Sequence, residues 1–453
     1  MTNDSRTRRN GTEYNRHPIG GDMRNRVPIL LTGLICLTAG YLVNSPWVSA
    51  QSWITSISAI PNQKGGQDVF GPYEVVAGWP KDLSTIPGNE AWTFGAGSSV
   101  FAESPDRIYA VQHGELPNIK RPMTKKLNDM GPSIFFPIGR LPWRDTTSSS
   151  PPGNGGTGQL AEGGMQAWER AGNKMGVDAK WERNILVFDG QGNLLPDTNN
   201  FMQYDAMMQR PHSITINPYD PEKAVWFVDD HKHIIWKFSH DGSKVLARYG
   251  TWGEPGADDK HFNRPTYIDF FPNGDWVVAD GYNGTRVVKF DKDGKMLKAW
   301  GEKGANNNDT RPNFFNNVHG VGVDPKTQRI FVNDRGNHRV QVFDKDGKFL
   351  NQWTFGEAPS DVHLVHVVDG YLWAFDRGTS KMLKYDLDGH FLYAWGTWGD
   401  FPGGFWGVHD FSTDMEGNFY VSEVDKGGAQ KFRPRPGVNP NYMIGKPTRA
   451  AWK

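Results

Sequence analysis

The sequence predicts an all-β fold, a six-bladed propeller, and two observations carry that prediction. The first is a repeat. Phe314 to Leu350, FFNNVHGVGVDPKTQRIFVNDRGNHRVQVFDKDGKFL, reads as one four-stranded unit: an alternating run, a β-rich run closed by an acid, a second alternating run, and a DG turn into an outer strand. The same order returns at Pro211 to Gly250, Pro265 to Gly301, Val362 to Gly396 and from Val408 onward. The closing acid is Asp229, Asp280, Asp334, Asp376 and Glu423, at intervals of 51, 54, 42 and 47 residues. A repeat of this length decides the architecture before any single residue does. The second observation is composition: 53 Gly, 30 Pro and 18 Trp in 453 residues suit short strands joined by many turns.

Taken in order, the chain starts with a basic region, residues 1–26, carrying Arg6, Arg8, Arg9, Arg16, Arg24 and Arg26. The apolar run VPILLTGLICLTAGYLV follows from Val27 to Val43, and then VSAQ, with Ser49 and Ala50 as small residues. Residues 27–50 therefore predict a signal peptide or, because the run is close to the minimum spanning length, a membrane anchor. Both predict export, to the periplasm or beyond, with the anchored form held in the inner membrane. Cys36, the one cysteine, lies inside this run, so the rest of the chain has no disulfide. Bulky Ile35 and Leu37 beside it argue against lipidation.

Residues 51–70 read as a polar linker, and residues 71–453 as the propeller. Tyr73 to Pro80, YEVVAGWP, is similar to outer strands such as KVLARYG and KMLKAWG. It is expected to close the ring by joining the last blade, with the C-terminal NYMIGKP competing for that role. The first blade runs through VFAESPDRIYAVQHG and resumes at NILVFDGQGNLL, after an insertion over 114–180. That insertion contains the low-complexity TTSSSPPGNGGTG and a weakly helical GGMQAWERAGNKMG, and reads as a lid or as a surface excursion. Lys and Arg together match Asp and Glu, 50 against 50, so no basic surplus exists for a nucleic-acid partner.

In each unit the inner strand starts at one end of the ring and the second strand runs back to that end. His212, His319, His363 and His409 share one register at the start of four inner strands, and Thr266 takes that place in the third blade. One such imidazole is usually structural, but several converging on an axis pack poorly when neutral and repel when protonated. A divalent metal removes both difficulties, zinc or iron(II) above all, and three His with an open position describe a catalytic site. Asp410 follows His409 and reads as a ligand-orienting group, a holder of a second cation, or a turn acid. Tyr282 in ADGYNGTR and Arg335 in NDRGNHR fall just past the second strand at the same end. Tyr beside a cation can serve as a base, and Arg can hold a carboxylate through two parallel hydrogen bonds. Both also suit ordinary rim turns. The repeated acids read as blade-packing residues.

At these residues the sequence resembles the NHL-repeat propellers, and among them the peptidyl-α-hydroxyglycine α-amidating lyases. The stretches NRPTYIDFFPNGDWVVADGYNGTRVVKFDKDGKMLKAWG and NVHGVGVDPKTQRIFVNDRGNHRVQVF carry it, and it extends over most of residues 90–433. The resemblance implies a catalytic zinc on His212, His319 and His409, with Tyr282 as base and Arg335 as its electrostatic partner. It also implies a structural calcium near Asp410 and the carbonyl of Ile214. The implied reaction cleaves a carbinolamide, N–CH(OH)–COO⁻, to an amide and glyoxylate, so the partner is a small-molecule or peptide substrate with a hydroxy-acid-like group. The chain departs from the pattern at Gln112-His113-Gly114, where the family places an Arg, at Gly407-Val408 before the last His, and in lacking the family's disulfides. His363 is an imidazole that the resemblance does not account for. Two further readings stay open: another metal-dependent propeller enzyme, such as a lactonase- or esterase-like hydrolase, and a non-catalytic binding or scaffold propeller.

Overall fold

The computed structural model describes residues 66–68, 70–119, 176–177, 179–304, 309–356 and 360–452, all within one unit, Ala50–Lys453. The basic and apolar N-terminal segments and most of the 114–180 insertion lie outside the described residues. No helix among the described residues is long and apolar enough to cross a membrane.

Six sheets form the blades, their strands ordered from the axis outward by sequence except for the outermost strands of blades 5 and 6, which come from the start of the described chain. Blade 2 is Pro211–Ile216, Val225–Asp229, Ile234–Phe238 and Val245–Tyr249. Blade 3 is Pro265–Phe270, Trp276–Asp280, Arg286–Phe290 and Met296–Trp300. Blade 4 is Val318–Val323, Ile330–Asp334, Arg339–Phe343 and Phe349–Thr354. Blade 5 is Val362–Val368, Tyr371–Asp376, Lys381–Asp386 and Phe391–Trp395. The second strands are mostly apolar up to their closing acid because both of their faces press against neighbouring blades: VWFVD, WVVAD and IFVND are buried at every position. Outer strands such as Val245–Tyr249 keep exposed positions.

Blade 6 holds Val408–Thr413, Phe419–Glu423 and Ala429–Pro434, and Tyr73–Val75 completes it from the other end of the chain. The predicted closure is therefore present, with Tyr73 paired to Pro434 and Val75 to Phe432. Tyr73 is 1% exposed, its ring centroid 5.5 Å from that of Trp395 and 5.3 Å from that of Phe419. NYMIGKP makes no strand. A short 3-10 helix, Pro440–Tyr442, overlaps its start, and beyond it Ile444, Pro447, Thr448 and Arg449 line the central cavity.

Two details differ from expectation. Gly66–Asp68, assigned to the linker, adds a parallel fifth strand to blade 5 beside Tyr393 to Trp395. Among the described residues blade 1 has three strands, Trp92–Ser104, Arg107–Pro117 and Ile185–Phe188, and where the fourth is expected there is a single bridge, Phe188 to Leu194. The chain then turns into a helix, Asp197–Met202, whose Thr198 hydroxyl accepts the Val187 N–H at 3.0 Å and so caps the open edge.

The DG turns at the far end tie successive blades together. A Cβ on Gly294, Gly347 or Gly389 would come within 2.3 to 2.8 Å of the Tyr249, Trp300 or Trp353 ring of the preceding blade. Only glycine lets the aromatic at the end of one outer strand stack on the next turn. At the opposite end the first residue of each inner strand faces the closing acid: Pro211 with Asp229, Pro265 with Asp280, Val318 with Asp334, Val362 with Asp376 and Val408 with Glu423.

Candidate metal centre

Two local devices place side chains at that end of the axis. The closing acids accept backbone N–H groups from the segment leading into their own inner strand: Asp229 from Gln209 and Arg210, Asp280 from Asn263, Asp334 from Asn316, Asp376 from Asp361, Glu423 from Trp406. The repeated acid thus fixes how the chain approaches the axis. The second device is a bulge. The ladder register shifts between the first and third residues of the inner strands of blades 2, 4, 5 and 6, and in blade 3 between Pro265 and Ile268. The residue left unpaired is His212, His319, His363 or His409. A bulge re-aims the side chain it carries.

His212, His319 and His409 meet. One ligand atom from each lies within 4.8 Å of the other two, and all three residues are buried. Their Nδ1–H groups donate to backbone carbonyls, His212 to Thr266 at 3.1 Å, His319 to His363 at 2.6 Å and His409 to Ser98 at 2.6 Å. A carbonyl only accepts, so each Nδ1 carries the proton and each Nε2 keeps its lone pair. Burial, then the neighbouring imidazoles and Arg210 or Arg335, holds all three well below the usual His range, so they stay neutral. Three neutral imidazoles with fixed tautomers and converging lone pairs fit zinc or iron(II). Among the described residues no other His, Cys, Asp or Glu group meets this test.

Tyr282 stands over the cluster. Its hydroxyl lies 3.2 Å from His212 Nε2 and 2.9 Å from His319 Nε2. Gly281 permits this approach, since a Cβ there would sit 1.8 Å from the Val318 carbonyl oxygen. The Tyr282 ring is flanked by two guanidinium groups, Arg210 at 4.9 Å and Arg264 at 4.4 Å from its centroid. Below the cluster, Tyr267 forms a floor: its hydroxyl donates to the His409 carbonyl at 2.9 Å, and burial followed by Asp410 keeps it protonated.

The other expected residues are placed differently. His363 packs beside His319 and His409, with centroids 5.8 and 5.7 Å away, but turns its Nε2–H to Asp361 at 3.2 Å and leaves Nδ1 without a partner. It walls the cluster and does not join it. Asp361, two residues earlier, decides this. Arg335 donates Nε and Nη2 to the same Asp361, at 3.1 and 3.3 Å, so the carboxylate it holds belongs to the chain. Against the cost of burial, His363 and Arg335 hold the Asp361 carboxyl well below the usual range.

The calcium expected at Asp410 and the Ile214 carbonyl meets a single carboxylate whose oxygens accept from Ser99 Oγ at 2.5 Å, His366 Nε2 at 2.9 Å, the Phe411 N–H at 2.8 Å and the Val100 N–H at 3.4 Å. The Ile214 N–H donates to Ser99 Oγ at 3.1 Å. Calcium takes six to eight oxygen ligands. This donor set does not fit it, and instead staples blades 1, 2, 5 and 6 across the axis.

Arg210, Arg264, Asp230, Asp361 and Tyr267 were not among the expected site residues. Arg210-Pro211 and Arg264-Pro265 repeat in consecutive units just before the axial position. That repeated dipeptide was the available signal.

Residues 315–343 match the NHL repeat. The chain is 34% identical over 161 residues to peptidyl-alpha-hydroxyglycine alpha-amidating lyase 1 of Drosophila melanogaster, covering 34% of this chain and 29% of that protein. It is 29% identical over 198 residues to peptidylglycine alpha-amidating monooxygenase of Rattus norvegicus, covering 43% and 19%. It is 33% identical over 192 residues to NHL repeat-containing protein 3 of Homo sapiens, covering 40% and 52%. The chain thus spans less than a third of the two amidating enzymes. It is a six-bladed propeller that matches the NHL repeat over residues 315–343 and is similar in part to proteins named as amidating enzymes.

Proposed function

We propose that the protein is an exported, metal-dependent lyase that cleaves N-acyl-α-hydroxyglycine compounds to an amide and glyoxylate. The observation that carries this is the meeting of three neutral imidazoles beneath the Tyr282 hydroxyl. The partial similarity to amidating enzymes supports the reaction class, and the basic and apolar segments of residues 1–50 support export.

His212, His319 and His409 hold the metal, which when bound supplies a Lewis acid for the substrate's hydroxyl oxygen. Tyr282 takes the proton from that hydroxyl. The C–N bond breaks as the C=O bond of glyoxylate forms, and the bonding pair stays on nitrogen. Tyr282 returns the proton there, so the amide leaves neutral. The flanking Arg210 and Arg264 stabilise negative charge on the phenol oxygen while it lacks its proton. Tyr267, kept protonated below, closes the cluster off from the channel.

The test is glyoxylate and benzamide release from N-benzoyl-α-hydroxyglycine by the metal-loaded protein. Equal amounts of the two products are expected, and Tyr282→Phe should lower kcat about 10²- to 10⁴-fold while metal stays bound. A metal-loaded wild-type protein that releases no glyoxylate above background would refute the reaction.

A further inference from the structure

The cations around the centre are not equivalent. Arg335 spends Nε and Nη2 on Asp361, and Arg377 donates Nη2 to both oxygens of Asp425, at 2.8 and 2.6 Å. Each of these arginines has an acid of its own from the next blade. Arg210 and Arg264 have to share one. Arg210 Nη1 donates to both oxygens of Asp230 at 3.0 and 2.9 Å, and Arg264 Nε donates to the same Asp230 at 2.8 Å. The adjacent Asp229 is committed to the backbone N–H groups of Gln209, Arg210 and Lys232.

One positive charge is therefore left over, and it lies against the Tyr282 ring. Arg210 Nε is buried and makes no hydrogen bond, and both ring nitrogens of His231 are likewise buried without a hydrogen bond, Nε2 lying 3.9 Å from Asp230. A buried guanidinium N–H left unmade costs free energy that an incoming acceptor recovers. An anion that approaches Arg335 meets Asp361 and its charge.

We propose that Arg210, with Arg264 beside it, receives the carboxylate of the substrate, and that Arg335 does not. This rests on the reaction proposed above. The α-carboxylate sits one bond from the carbon bearing the hydroxyl, so an arginine against the Tyr282 ring holds it while the hydroxyl faces the Tyr282 oxygen. Arg210 thereby sets the requirement for a carboxylated substrate.

The test compares N-benzoyl-α-hydroxyglycine with N-(hydroxymethyl)benzamide, which has the hydroxyl but no carboxylate. In Arg210→Gln the ratio of kcat/KM for the two compounds should fall roughly 10- to 100-fold, mostly through KM, with partial recovery in Arg210→Lys. Arg335→Gln should shift the ratio much less. Binding of N-benzoylglycine by calorimetry gives a readout that needs no turnover: wild-type protein binds it, and Arg210→Gln weakens binding by a similar factor. Equal losses on both compounds, a larger effect from Arg335→Gln, or wild-type protein that does not bind N-benzoylglycine would each overturn the assignment. Absence of glyoxylate release with intact, Arg210-dependent binding would instead refute only the reaction.

Discussion

Tyr282 is placed by a residue with no side chain and by two with large ones. Gly281 lets the backbone pass the Val318 carbonyl, and Arg210 and Arg264 fix the plane of the ring. Gly281→Ala should cost about 1–3 kcal/mol in chemical denaturation, because the obstructing atom is backbone and cannot yield cheaply. Its kcat should fall further than its stability does. His363 gives a pH prediction. Burial first, then Arg335, lowers its pKa to about 3, below the unfolded value of about 6.5. The unfolded chain therefore takes up a proton that the folded chain refuses. The stabilising contribution is whole above pH ~6.5 and is lost as pH falls. His363→Asn should flatten the fall in stability between pH ~4 and ~6 by about 1.4 kcal/mol per pH unit, measured by urea titration; an unchanged slope would contradict it. That four imidazoles share one register is legible in the sequence because the repeat aligns them. That His363 turns aside is not, since it depends on Asp361 reaching across from blade 5 to Arg335 of blade 4.

At the scale of the element, the bulge is the feature that matters. A regular strand would point alternate residues at the axis, whereas the register shift at the second residue singles out one. The alternation and the closing acids were readable as strands, but no pattern in VHGVG distinguishes a bulge from an ordinary strand start. The short edges were also illegible: Gly66–Asp68 and, among the described residues, the three-stranded edge of blade 1 are decided by which neighbour offers a free edge. Ring closure was legible because YEVVAGWP repeats the outer-strand pattern. It rests on few residues, with Tyr73 packed on Trp395 and Phe419 and its hydroxyl accepting the Ile444 N–H at 3.0 Å. Tyr73→Ala should therefore cost about 3–5 kcal/mol and lower Tm as a single transition. A second, separate transition would mean that the seam opens independently.

Across the described part of the molecule, the chain's own groups line the axial cavity from the metal centre to the far end. Tyr267 floors the metal centre, and Ile444, Pro447, Thr448 and Arg449 line the far end of the cavity, with Arg449 donating to the Ala102 carbonyl at 2.7 Å. Between them Asp410, Ser99 and His366 join blades around the axis through direct hydrogen bonds. Calcium chelation at neutral pH should leave Tm unchanged, whereas His366→Ala should lower it; a Tm that falls with a calcium-selective chelator and recovers on adding calcium would contradict this account. The claim on which the chemistry rests is that His212, His319 and His409 hold one metal ion in common. Equilibrium dialysis against zinc, followed by elemental analysis, tests it directly. About one zinc per wild-type chain is expected, with none retained in a folded His319→Ala variant. A wild-type protein that binds no metal, or a variant that keeps it, would contradict the account.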